Sequence, residues 1–167
     1  GRLDFKFPAN VLWSQDLKQD ADVIYSQPVV PFIDGVIVQP ELLGQGIDEI
    51  RRIGMVNQFT PTGWVERIAD GRVVVTETAE LSNVIRLGLI GRVDGIYANP
   101  VVVDHLLRSN FYKPGSMIFD SSLPHTRSSY HLATLNHGAV IEKFNRWMTE
   151  NVVNISRLKA RYRIPVN

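Results

Sequence analysis

Ile53-Gly54-Met55-Val56-Asn57-Gln58-Phe59-Thr60-Pro61-Thr62-Gly63 is the stretch on which the fold turns. The apolar run Ile53 to Val56 reads as a buried strand, and turn-forming residues follow it. Thr60 is placed to cap a helix whose first residue is Pro61. A threonine hydroxyl accepts from free first-turn amides, and proline lacks an N–H that would be unpaired there anyway. The amides of Thr62, Gly63 and Trp64 would then face the space beyond the strand end. Such amides, reinforced by the helix dipole, favour an acidic group.

A second junction repeats this grammar. Gly91 to Ala98 reads as a turn and a short strand, and Asn99-Pro100 offers an N-cap and a first-turn proline for a helix from Val101 to Leu107. In open parallel sheets, ligands sit outside the carboxyl ends of strands. Two polar helix starts on one sheet therefore point to one binding region.

The flanking sequence fits an α/β domain. From Ile47 to Arg108 helical and strand patterns alternate, with Arg72 to Thr76 as the middle strand and Ala79 to Ile90 as its helix. Upstream, Leu3 to Phe7, Asp22 to Tyr25 and Ile33 to Val38 read as strands, and Gln39-Pro40 with Gly44 and Gly46 marks a boundary. Downstream, Ser116 to Asp120 and Ser129 to Thr134 are further strands. The chain then runs helically from Ala139 to Tyr162, with a break expected between Asn151 and Asn154. Ile141, Phe144, Met148, Val152, Ile155 and Leu158 recur every three or four residues along one face.

Composition narrows the function. The chain has 167 residues, 44% hydrophobic, with 18 Lys and Arg against 17 Asp and Glu. That content can bury a core, and a net charge of +1 supplies no general field for nucleic acid or an anionic membrane. Cysteine is absent, so disulfides and thiolate metal sites are excluded. His125, His131 and His137 are spaced six apart, which suits no zinc pattern. Ser26, Ser121 and Ser122 lack the setting of a nucleophile, and Glu66, Glu77 and Glu80 read as solvated helix-face charges. The reading calls for no metal, no cofactor, no nucleic-acid partner and no catalysis.

The order of these segments resembles a known family. Val23 to Pro28, a crossing strand Asp34 to Val38, Arg52 to Val56 with its Thr-Gly loop, Gly91 to Tyr97, and Tyr130 to Thr134 before a closing helix are similar to the family-3 extracellular solute-binding proteins. These are the amino-acid-type periplasmic receptors of ABC transporters. The resemblance implies an α/β, type II periplasmic-binding-protein-like fold with two lobes joined by a two-stranded hinge. Residues 1–37 and 131–167 would form the remainder of lobe one, truncated at its N-terminus, and 38–130 lobe two. It also implies capture of a small polar solute outside the cytoplasm, in the periplasm or at the cell exterior, by hinge closure. A membrane permease would be the partner. Self-association is expected if lobe one is incomplete. Ligand-sensing domains of membrane signalling proteins and a few dehydratases share the module.

The implied solute contacts are Phe59, Thr60, Thr62, Gly63 and Asn99 in lobe two, with Asn10 and Trp13 in lobe one. Trp64 is expected to pack beneath its helix and Asp94 to serve a turn or cap. In amino-acid receptors an acid at the position of Asn99 holds the ligand's ammonium, and an arginine before the Tyr25-Ser26 strand holds its carboxylate. Here position 99 is a neutral amide and the preceding segment offers only Lys18. The expectation is a solute without an unpaired ammonium at Asn99.

Overall fold

The computed structural model describes residues 3–13, 21–162 and 164. Lys18 lies outside them. The chain divides into two compact units, Gly1–Phe32 with Arg127–Asn167, and Ile33–Thr126. Two long strands, β3 (Val30–Val38) and β8 (His125–Thr134), contain the crossings from one unit to the other.

In the first unit, β1 (Lys6–Ala9) and β2 (Ile24–Tyr25) pair antiparallel with β8, Lys6 and Tyr25 both meeting Ala133. Strand β1 starts later than the alternation predicts and runs through Pro8. Helices α4 (Gly138–Glu150) and α5 (Val152–Arg161) follow, separated at Asn151 as the sequence indicates. Ile141 and Met148 are buried, and Asn145 accepts from the Gln27 amide at 2.8 Å.

The second unit holds the parallel strands. Strand β4 (Arg52–Val56) lies between β5 (Val74–Thr78) and β6 (Gly95–Ala98), parallel to both; β6 pairs antiparallel with β3, which also pairs with β7 (Ile118–Phe119). Helices α1 (Val65–Ala69), α2 (Leu81–Leu89) and α3 (Pro100–Ser109) follow β4, β5 and β6. The predicted helix at Ile47 is only a 3-10 turn, Ile47–Glu49, and β5 begins two residues later than expected.

Alternation along β3 sorts the core into two faces. Val36 and Val38 join Ile53, Met55, Trp64, Tyr97 and Leu123 on one side. Ile37 joins Val84, Ile85, Ile96, Val103 and Leu107 on the other, under α2 and α3. Gly95 is required where the central strands press together, since a Cβ there would stand 2.4 Å from a Val36 methyl.

At the amino ends of β4 and β6, Asp94 ties the two strands. Its Oδ2 accepts from the amides of Arg51 and Arg52 at 3.0 and 2.7 Å, and its Oδ1 from the Arg52 guanidinium. Burial works to raise the Asp94 carboxyl, but the Arg52 side chain and those two amides outweigh it and hold the group below its ordinary value.

Candidate functional site

Both predicted junctions lie at the carboxyl ends of the adjacent strands β4 and β6, and they fold differently. After β6, Asn99 caps α3 as expected, its Oδ1 accepting from the amides of Val101 at 2.9 Å and Val102 at 3.4 Å. After β4, Thr60 is not a cap. The Thr62 amide donates to the Thr60 carbonyl at 2.8 Å, the Trp64 amide donates to the Pro61 carbonyl at 2.9 Å, and α1 starts only at Val65. The amides of Thr62 and Trp64 are therefore spent within the loop rather than offered to a ligand.

Trp64 explains the difference. Its side chain is fully buried among Ile53, Met55 and Tyr97, and its Nε1 donates to the Pro124 carbonyl at 3.1 Å. Gly63 turns the chain to deliver it, with φ +84° and only 2.8 Å between the place of a Cβ and the Pro124 ring. Burying an indole is worth about 3–5 kcal/mol, against about 1 for a helix cap. The larger effect sets the loop.

Thr60 and Thr62 are half-buried, while Gly63 and Phe59 are exposed, with Phe59 at the tip of the loop. In the first unit, Asn10 is buried, its Nδ2 donating to Ser128 Oγ and the Ser129 carbonyl on β8, both at 2.8 Å, and its Oδ1 accepting from the Leu12 amide at 2.8 Å. Trp13 packs on Phe32 and Tyr130, whose rings stack at 4.4 Å. Asn10 and Trp13 also line a cavity of about 240 Å³ with Phe5, Ala9 and Tyr25.

Sequence reasoning missed the floor of the second-unit site. Among the described residues, buried side-chain atoms without a hydrogen-bond partner are Asp34 Oδ1, Tyr97 Oη, Thr126 Oγ1 and Arg67 Nε. Three of these share one place. Strand β3 pairs Gly35 with Ala98 and Val36 with Tyr97, so Asp34 comes level with Asn99. Alternation puts Asp34 on the face of Val36 and Tyr97. The Tyr97 hydroxyl stands near those of Thr126 and Thr62 without a well-formed hydrogen bond. Burial raises its pKa, the Thr126 hydroxyl pulls the other way and the Asp34 charge adds to the rise. Burial alone pushes the Asp34 carboxyl up to about 6. The available signal was a single charge inside the apolar run Pro28 to Val38.

Compared by structure, the chain is similar to the GluR0 ligand-binding core in complex with L-glutamate, at TM-score 0.67 and 13% identity over 95% of this chain and 72% of that one. This chain has the periplasmic-binding-protein-like fold. A periplasmic His/Glu/Gln/Arg/opine family-binding protein from Silicibacter pomeroyi, in complex with lysine, shares the fold at TM-score 0.66 and 13% identity, over 100% of this chain and 74% of that one. So does the periplasmic VFT2 domain of BvgS from Bordetella pertussis, at TM-score 0.60 and 14% identity over 85% and 63%. The chain thus spans between 63% and 74% of the length of these binding-protein folds. Compared by sequence, it matches no family model and no curated protein. None of the described helices is long and apolar enough to cross a membrane.

Proposed function

We propose that this chain is part of an extracytoplasmic solute-binding protein that captures a small polar solute and delivers it to the membrane permease of an ABC transporter. One observation carries the reading: two polar junctions at the carboxyl ends of adjacent parallel strands, over buried polar atoms that find no hydrogen-bond partner among the described residues. Ligands of open parallel sheets occupy that position, and buried polar groups are rarely left unpaired without a use. Two of the similar structures are complexes with amino acids, L-glutamate and lysine, which supports a small solute. In the second unit Thr60, Thr62, Gly63 and Asn99 would supply rim contacts and Phe59 an apolar wall; in the first, Asn10 and Trp13 would be the candidates for solute contact. The work is binding, without covalent chemistry, and closure of one lobe on the solute would be favoured only by the contacts it adds.

The similarity to the BvgS domain favours one second reading, a sensing module in which the same capture shifts a conformational equilibrium. A membrane span joined directly to this unit in the full protein would mark that use. The test of solute capture is a thermal-shift screen against amino acids, polyamines, organic acids and sugars, because a ligand that binds only the folded state raises its melting temperature by mass action. A concentration-dependent rise with one class supports the proposal. A flat response across all four overturns it.

A further inference from the structure

We infer that Asp34, Tyr97 and Thr126 form a buried subsite for a cationic N–H group of the solute, a protonated amine or a guanidinium. The inference rests on the solute-binding reading and names the chemistry of that same site.

Asp34 is 5% exposed and Tyr97 1%, so water does not serve them freely. The unpaired atoms are a carboxylate oxygen and two hydroxyl oxygens, and all three accept hydrogen bonds. An ammonium brings three donors and no acceptor, and a guanidinium brings a fork of donors. The set is matched to such a group and mismatched to an anion, which would meet the Asp34 charge.

Charge points the same way. None of the ion pairs formed among the described residues involves Asp34. A buried carboxylate without a partner is costly, and a cation hydrogen-bonded to it removes that cost while gaining bonds stronger than neutral ones. The strand neighbours of Asp34 on the same face, Val36 and Val38, are apolar and completely buried.

Asp34 stands level with Asn99 across the β3–β6 pair, and Thr62 reaches the Tyr97 hydroxyl from the β4 loop. Thr62, Thr126 and Asn99 are half-buried, so the floor of Asp34 and Tyr97 lies under a rim that solvent reaches. The neutral amide at 99 leaves an ammonium without a countercharge on β6, and the neighbouring strand supplies it.

The test is calorimetric titration of the chain and its Asp34→Asn variant at pH 7.5 with putrescine, L-arginine, succinate and glucose. The wild-type chain is expected to bind putrescine or L-arginine. Asp34→Asn should weaken that binding by roughly tenfold or more, the scale of a lost charge-assisted bond. Tyr97→Phe keeps the buried ring, and it should weaken the same probe by a smaller factor. Binding of succinate or glucose alone, or binding of a cationic probe unchanged by Asp34→Asn, overturns the inference and leaves solute capture standing. No binding of any probe by the wild-type chain overturns both.

Discussion

Thr60-Pro61 after β4 and Asn99-Pro100 after β6 stand on neighbouring parallel strands, each a capping residue followed by proline. At the second junction the next two residues, Val101 and Val102, remain exposed, and the helix begins at once with Asn99 as its cap. At the first, an indole four residues on must reach the core, so the chain turns at Gly63 and the helix waits until Val65. Val103, four residues past Asn99, is buried too, but it reaches its core from within α3, so there burial and the cap agree, whereas at the first junction the indole is buried before the helix begins.

Removing the competitor breaks the contrast most severely. Trp64→Ala should cost about 3–5 kcal/mol, the usual loss for a buried aromatic, measured by urea denaturation. A loss below about 1 kcal/mol would mean that the indole does not dictate the loop.

Beneath the second junction, Asp34→Asn should act in the opposite direction. The Asp34 carboxyl is raised by burial from 3.8 to about 6, so its favourable contribution is complete below pH 4 and lost as pH climbs through 6. At pH 7.5 the ionised group should destabilise the protein by up to about 3 kcal/mol, because each tenfold weakening of the carboxyl's acidity on folding corresponds to about 1.4 kcal/mol. The variant should melt at a higher temperature than wild type at pH 7.5, and the gap should close by pH 4. Parallel melting curves at both pH values would refute this.

Gly63→Ala tests the turn itself. A left-handed conformation costs a side chain about 1–2 kcal/mol, and the close approach of Pro124 adds to it. Chemical denaturation should show that loss.

The finest contrast needs two substitutions of one kind. Asn99→Ala should cost about 1 kcal/mol and speed hydrogen exchange at Val101 and Val102. Thr60→Ala should cost less than about 0.5 kcal/mol, as at an ordinary surface position. Equal losses would restore Thr60 as a cap and erase the distinction between the junctions.

The α/β class, the parallel strands of the second unit and the break at Asn151 were legible because each leaves a periodic or local signature. The Asn99 cap was legible for the same reason, since its partners lie two and three residues away. The Thr60 loop was not. Its shape depends on Trp64 meeting Pro124, sixty residues distant in sequence. The Asp34 floor is hidden for a related reason. An acid inside an apolar strand is visible, but whether it finds a partner depends on which face of β3 it takes and which side chain β6 sets beside it.

The carboxylate of Asp94 gives the site something beyond strength. By clasping β4 and β6 at the ends where they begin, it fixes their stagger. The distance between the places where they finish is then set before any solute arrives. In the proposed function, an arriving solute would meet a gauge already cut to length, and little of its affinity would be consumed in aligning the strands.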